Sequence, residues 1–449
     1  MENFDYSLEP RGDSAFIDMK SFYASYELKA RGLDPLRDML VVMSKADNTG
    51  GGLILASSPA AKKKLGLTNV SRAWELPTEQ ENPAVRDLII VPPRMQLYIE
   101  QNIEIQKIIQ DYAAKEDIMW YSIDEGCVDL GPSLNLFVPE ENMSRARKLD
   151  IVSQRIQQHI LRKTGIYSTV GMSNSTILLA KLALDNEAKK NGNMRALWNY
   201  KDVQTKVWGI QEITDFWGIG SRMKENLKNM GIHSIYDLAH SSPERLHTKF
   251  GIIGLQLYHH AWGIDRSKIR EKYIPRAESK GNSQMLPRDY YRHEMPLLIK
   301  EMADQVGTRL RRKGAKAGTI HLGIRYSRAE SDSGFSRQMK VTPTDNSKEI
   351  AQYLQHLFDT YYEGQAVRQI SVSFSKLIYT DGTQLNLFEE PERQEKEIKL
   401  EKSKDLVRDK FGFLSLVYAS SLLDHGRSIP RAGLVAGHDG GGAGGLDGL

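Results

Sequence analysis

Short apolar runs alternate with stretches of helical periodicity over the first 190 residues. Residues 15–19 and 39–43 read as buried strands, and 20–32 between them reads as a helix. Glycines 50–52 mark a turn, followed by a strand at 53–56. A helix over 57–65 opens on Ser-Ser-Pro and stops at Gly66, as capping predicts. A strand at 88–91 is ended by Pro92 and Pro93. Helical spacing covers 95–115, and 118–130 reads as a hairpin turning at Asp124-Glu125-Gly126. Further on, 143–163 and 175–190 predict helices around a strand at 166–171. This alternation predicts a mixed α/β domain to about residue 193.

The pattern then changes twice. From 195 to 272 short helices are punctuated by glycine, and 280–380 returns to a smaller α/β unit with strands near 318–326 and 367–378. Beyond 383 the chain is highly charged, and 437–449 is rich in glycine with little apolar content, so it should be mobile. The segment 400–430 holds enough Leu, Phe and Tyr to form a helix on some partner.

Composition narrows the class. At 449 residues about three domains are expected, and 26 % charged with 40 % hydrophobic residues is ordinary for a soluble globular chain. The net charge of +4 is mild, but Lys and Arg cluster at 62–64, 189–190 and 309–316. A single cysteine, Cys127, excludes an intramolecular disulfide framework and fits a reducing cytoplasm. No apolar run is long enough for a membrane span, and the N-terminal residues do not resemble a signal peptide.

Three carboxylates lie at strand ends far apart in sequence: Asp18 after Ala15-Phe16-Ile17, and Asp124 with Glu125 after Trp120-Tyr121-Ser122-Ile123. Hard Mg²⁺ takes oxygen ligands, usually one or two carboxylates plus substrate phosphates. Two such ions about 4 Å apart stabilise attacking and leaving oxygens in nucleotidyl transfer. Each acid alone has a plainer reading. Asp18 would also serve as a helix N-cap, and Asp-Glu-Gly is common in solvated turns.

The flanking residues carry a resemblance. Phe16-Ile17-Asp18-Met19-Lys20-Ser21-Phe22-Tyr23-Ala24-Ser25 and Tyr121-Ser122-Ile123-Asp124-Glu125 look like the two signature motifs of Y-family translesion DNA polymerases, closest to the UmuC-type branch. It covers roughly residues 12–390. The resemblance implies an α/β multidomain right hand: a palm over 1–193 with fingers inserted at about 22–93, a helical thumb over 194–272, a little finger over 273–380 and a charged tail over 381–449. It implies Asp18, Asp124 and Glu125 as catalytic metal ligands for two Mg²⁺, with the Met19 carbonyl as a further ligand. It puts Tyr23, after Phe22, at the steric gate against the sugar of an incoming dNTP. Lys63 and Lys189 match phosphate-binding positions. Many members carry a Tyr where this chain has Ala60, and Ser57 is expected to substitute in part.

Phe216-Trp217-Gly218-Ile219-Gly220-Ser221 reads as the turn of a helix-hairpin-helix, whose backbone N–H groups at Gly218, Gly220 and Ser221 would grip duplex phosphates. Lys280 opens the little finger, where Arg309, Arg311, Arg312, Lys313 and Lys316 should neutralise DNA phosphates. Gln384-Leu385-Asn386-Leu387-Phe388 looks like the peptide that docks bacterial polymerases on the sliding clamp; a final strand is the plainer reading. The resemblance implies error-prone, template-directed synthesis in DNA damage tolerance, with accessory subunits left open. The rivals are a catalytically silent DNA- and clamp-binding adaptor on the same fold, which retention of all three acids disfavours, and a metal-dependent nuclease, which lacks a nearby water-activating His.

Overall fold

The computed structural model describes residues 4–45, 51–271, 273–275, 277–379, 390–435 and 438–439. They divide into two compact units, one of residues 1–38 with 98–273, the other of 39–97 with 274–449.

The first unit is built on a five-stranded sheet, in the order Ile118–Trp120, Glu125–Asp129, Ser14–Met19, Ser168–Ser173 and Arg195–Leu197. The central strand Ser14–Met19 runs antiparallel to both neighbours. Ala15, Phe16 and Ile17 are fully buried, which explains why that strand reads as a continuous apolar run rather than an alternating one. Helix Arg145–Thr164 is capped by the Ser144 side chain and stops at Gly165, whose φ of 70° suits a residue without Cβ. Gly171 lets helix Ile177–Ala183 approach the sheet closely, since a Cβ there would collide with the Ala180 carbonyl and Leu184 N.

The helix expected over 175–190 is not uniform. It is α-helical over Ile177–Ala183 and then widens into a π turn over Leu184–Ala188. The edge strand Arg195–Leu197 is too short to show a period and was not foreseen. One apolar core runs on from Phe16 and Leu182 through Val203, Phe216, Leu227 and Leu257 to Ile264, so the short helices pack directly on the sheet unit.

In the second unit, strands Leu53–Ser57, Leu40–Ser44 and Ile89–Val91 form a small sheet in that order. Helix Pro59–Leu65 is capped by Ser58 and ended by Gly66 with φ 67°, as the sequence predicts. Residues 274–379 form a four-stranded antiparallel sheet in the order Gly334–Thr344, Ala315–Tyr326, Val367–Tyr379 and Lys280–Tyr290. Sequence periodicity found two of these strands. Helices Met295–Arg312 and Ser347–Tyr361 pack against its apolar face through Leu298, Val306, Ile320, Phe358 and Phe374. On the other face His321, Gly323 and Arg325 stand opposite Ser373, Ser371 and Gln369.

Two expectations about the C-terminal part are corrected. The charged segment after 390 forms helix Pro391–Phe411, and it packs on this chain's own helix Met295–Arg312 rather than awaiting a partner to fold on. Asp304 accepts from Lys404 at 2.5 Å and from Arg408 at 2.8 Å. The same packing removes Arg311 from the expected phosphate-binding cluster, because its guanidinium bonds Asp405 at 2.5 Å and Glu401 at 2.9 Å. Arg312 likewise ion-pairs with Asp409. The peptide Gln384, Leu385, Leu387, Phe388 and residues 440–449 lie outside the described residues. Among the described residues no helix is long and apolar enough to cross a membrane.

Candidate active site

Strand register brings the acids together. In the antiparallel pair Asp18 stands directly opposite Glu125, so their side chains share one face, where like charges repel. The hairpin turns at 121–124, not at 124–126, and Glu125 already opens the returning strand. That shift removes the alternation problem for adjacent acids: Asp124 ends the turn while Glu125 obeys the strand. Ser122 Oγ donates to Asp124 Oδ1 at 2.8 Å, and the Met19 N–H donates to the Asp124 carbonyl at 2.9 Å. Asn102 Nδ2 holds the turn from below by donating to the Ile123 carbonyl at 2.6 Å.

Two lysines and a further acid link Asp18 to Glu125 in a chain of alternating charge. Lys189 Nζ lies 3.2 Å from Asp18 Oδ2 and 2.8 Å from Asp185 Oδ1. Asp185 also meets Lys181 at 2.9 Å, and Lys181 in turn pairs with Glu125 Oε1. Lys181 and Asp185 were missed by the sequence reading, although the spacing 181, 185, 189 repeats every four residues and would have aligned them on one helical face. Lys181 also lies 5.1 Å over the Phe16 ring, where a buried ammonium gains from the π face.

The charges are tuned accordingly. Burial pushes the Asp18 carboxyl up to about 6; Lys189 opposes this, while Asp124 and Glu125 reinforce it. Burial alone would lower the Lys189 ammonium, but Asp18 and Asp185 outweigh it and hold the group above the ordinary lysine range.

Beside the acids, the chain reverses from strand into helix Phe22–Ala30 through Ser21, a non-glycine residue held at φ 49°. Such left-handed backbone persists only where its surroundings enforce it. Phe22 is a core side chain, 2 % exposed. Tyr23 is half-buried and stacks on Tyr98 with centroids 4.3 Å apart and planes 14° apart. Tyr98 is fixed in turn by donating to Glu27 Oε1 at 2.8 Å. Burial, with a smaller contribution from Asp124, raises the Tyr23 hydroxyl to about 12, so it stays protonated at neutral pH.

The glycine-rich turn also belongs to this unit. Gly218 adopts φ 100°, which favours glycine, and Gly220 is the extended N-cap of helix Ser221–Lys228. Trp217 Nε1 donates to the Tyr121 hydroxyl at 3.3 Å, and both rings pack edge-on against Phe16. The turn is thereby tied to the hairpin that carries Asp124.

Three expected residues sit in the second unit. Lys63 is exposed in the last turn of helix Pro59–Leu65. Ser57 is fully buried and its hydroxyl donates to the Thr68 carbonyl at 3.3 Å, an internal engagement that does not suit the phosphate contact expected of it. Lys280 pairs with Glu278 at the start of its strand.

Among the described residues no three His, Cys, Asp or Glu side chains are gathered into a ready metal cage. The donor set nevertheless suits a hard divalent cation. Its oxygens are carboxylates, two of them face each other across a strand pair, and burial, reinforced by Asp124 and Glu125, has raised the Asp18 carboxyl. An ion that takes one or two carboxylates and completes its shell from substrate phosphates needs no closed cage.

Comparison with known proteins agrees with this geometry. Residues 17–185 match the impB/mucB/samB family, 277–387 match that family's C-terminal domain, and 214–265 match a thumb domain described from DNA polymerase iota. A Bacillus subtilis (strain 168) protein named as a UV-damage repair protein, UvrX, is 38 % identical over 97 % of this chain and 99 % of its own length. A DNA polymerase IV 2 of the same organism is 33 % identical over 94 % of this chain and 97 % of its own. A solved chimera of the Y-family DNA polymerases Dbh and Dpo4 shares the fold, with a TM-score of 0.64 at 20 % identity, covering 82 % of this chain and all of that one. With the acids, Lys181 and the glycine turn on these segments, the chain belongs to the impB/mucB/samB family, the Y-family of DNA polymerases.

Proposed function

We propose that this chain is a DNA-directed DNA polymerase of the error-prone translesion type, extending a primer from dNTPs during DNA damage tolerance. The observation that carries the reading is the register pairing of Asp18 with Glu125 beside Asp124, fenced by Lys181 and Lys189. Asp18, Asp124 and Glu125, with the Met19 carbonyl, would hold two Mg²⁺. When bound, these ions supply charge stabilisation to the attacking and leaving oxygens.

The chain's own groups do the positioning. Lys189, already held beside Asp18, would exchange part of its ion pairing for the triphosphate, with Lys63 a second phosphate contact. Tyr23, braced by Tyr98 and kept protonated, would stand under the sugar and leave no room for a 2′-hydroxyl. Backbone N–H groups at Gly218, Gly220 and Ser221 would take duplex phosphates at a helix N-terminus, without sequence preference. Lys280 and the polar face of the four-stranded sheet would follow the DNA backbone. Gln384, Leu385, Leu387 and Phe388 would dock on a bacterial sliding clamp, and the protein would work in the cytoplasm.

Primer extension on undamaged template with Mg²⁺ and dNTPs tests the reading, comparing wild type with Asp124→Ala and Glu125→Ala. Extension by wild type and its loss in both variants is expected. A wild type that binds primer-template yet never extends it would favour the silent adaptor.

A further inference from the structure

Each of the two acids that face each other across the strand pair has one oxygen taken by a lysine. Lys189 lies on Asp18 Oδ2 and Lys181 on Glu125 Oε1, and both lysines also lean on Asp185. The two cations are not equivalent. The Lys189 side chain is 39 % exposed and free to turn towards a triphosphate, whereas that of Lys181 is 7 % exposed. The Lys181 ammonium is enclosed by Glu125, by Asp185 at 2.9 Å and by the Phe16 ring at 5.1 Å. Its backbone is fixed as well, because helix Ile177–Ala183 is buried at every position. A buried ammonium held between two carboxylates cannot swing away without leaving charge uncompensated. Whatever Lys181 does, it does through Glu125.

We propose that Lys181 is a fixed counter-ion that occupies one oxygen of Glu125 and keeps the acids from binding a divalent cation tightly before the nucleotide arrives. Its consequence for synthesis rests on the polymerase reading; its effect on cation binding does not. Among the described residues the Glu125 carboxylate accepts at Oε1 alone, which leaves Oε2 for a cation. Chelation through both oxygens would displace Lys181 and leave its ammonium with Asp185 as its remaining acid. Binding through Oε2 alone sets two cations on one carboxylate, where they repel. Either way affinity is lost. The acids Asp18, Asp124, Glu125 and Asp185 are met by Lys181 and Lys189 and, at Asp18, by Lys20, so acids exceed lysines by only one. Removing Lys181 doubles that excess. A hard divalent cation that completes its shell from substrate phosphates suits such a site, being held weakly alone and firmly once a triphosphate adds its oxygens. Lys181 is thus a positioning residue that touches neither substrate nor reacting atoms.

The test measures Mn²⁺ binding to the full chain without DNA or nucleotide, from the loss of the free-ion electron-paramagnetic-resonance signal. Only binding that Glu125→Ala removes is counted. Lys181→Met should bind Mn²⁺ at least tenfold more tightly than wild type, and Lys181→Arg, which keeps the charge, should return to within threefold of wild type. Lys181→Gln keeps a donor for Glu125 and lacks only the charge; it should tighten binding as well, and it carries the test if the Met variant does not fold. Circular-dichroism melts check folding. In primer extension the neutral variants should saturate at lower Mg²⁺ yet turn over at least tenfold more slowly, whereas damage to the fold would raise the Mg²⁺ requirement as the rate fell. Equal or weaker Mn²⁺ binding in the neutral variants overturns the proposal, as does an Arg variant that binds as tightly as they do, since charge would then not be the cause. The two readings fail separately. A wild type that never extends a primer, with Mn²⁺ affinity still gained in the neutral variants, removes the polymerase and leaves the counter-ion. Normal extension by wild type with Mn²⁺ affinity unchanged across the variants does the opposite.

Discussion

The carboxylate of Asp18 faces Glu125 across a strand pair and is pushed up to about 6 even though Lys189 lies 3.2 Å away. Because the folded chain holds that proton more tightly than the unfolded one, the sign is fixed. Asp18 costs little below pH about 4, the penalty grows as pH rises to about 6, and it is constant above. From 3.8 to about 6 the penalty reaches about 3 kcal/mol. Asp18→Asn is therefore expected to melt higher than wild type at pH 7.5 in EDTA, with the gap narrowing towards pH 4, while primer extension is lost. A lower melt for the variant at pH 7.5 would mean that Lys189 attraction dominates. Tyr23 gives the second prediction at this scale. With its ring braced by Tyr98, Tyr23→Ala should lower discrimination against ribonucleotides by about ten- to a hundredfold, whereas Tyr23→Phe should keep it, because shape rather than the hydroxyl excludes the sugar. Single-turnover incorporation of dNTP and rNTP reads both. Asp18, Asp124, Glu125, Tyr23 and Lys189 were legible in the sequence because two signature motifs and a Lys-rich helix end carried them. Tyr98 was not, since an aromatic on a long helix has no local mark of what it stacks on.

Element geometry converts those residues into a site. Helix Ile177–Ala183 delivers Lys181 to Glu125, and the π turn Leu184–Ala188 that follows sets where Lys189 emerges. Single π turns inside α-helices are frequent at functional sites. The helix reaches the sheet only because Gly171 has no side chain beneath Ala180 and Leu184. Gly171→Ala should thus lift the helix, cost ~1–3 kcal/mol in denaturant titrations and reduce extension more than the stability loss explains. Unchanged stability would show that the backbone relaxes freely there. The sequence revealed the helix, whose apolar period is plain over 177–184, but not the π turn, because one extra residue in a helical pattern has no signature of its own. The same limit explains the missed strands. Arg195–Leu197 has three residues, while Lys280–Tyr290 and Gly334–Thr344 have one face turned to solvent and are too polar to register as apolar runs. The hairpin was found but its turn was placed two residues late, since Asp-Glu-Gly resembles a turn more than Tyr-Ser-Ile-Asp does.

At the scale of the whole chain, the C-terminal segment is fastened to the 274–379 unit by ions rather than by apolar area. Asp304 is 3 % exposed and is the shared acceptor of Lys404 and Arg408. Burial alone would raise its carboxyl, but those two cations outweigh it and hold it below the usual carboxylate range. A satisfied buried cluster of this kind adds little net stability, yet removing one partner leaves charges buried without compensation, at about 3–5 kcal/mol. Asp304→Ala leaves Lys404 with Glu401 as its remaining acid and Arg408 with no acid but with the Leu416 carbonyl, so the cheapest response is for helix Pro391–Phe411 to leave its seat and rehydrate them. Limited proteolysis should then cut the variant within 390–435 at protease levels that spare the wild type, while the 274–379 unit stays resistant. The pH profile follows the depressed carboxyl: attachment holds above pH about 4 and weakens only as pH falls below that, so acidification should mimic the variant. High salt alone should not, because pairs buried this deeply are poorly screened. If Asp304→Ala left the proteolytic pattern unchanged and lowered the melt of the entire unit instead, the helix would be an integral part of that core, held by more than its ions.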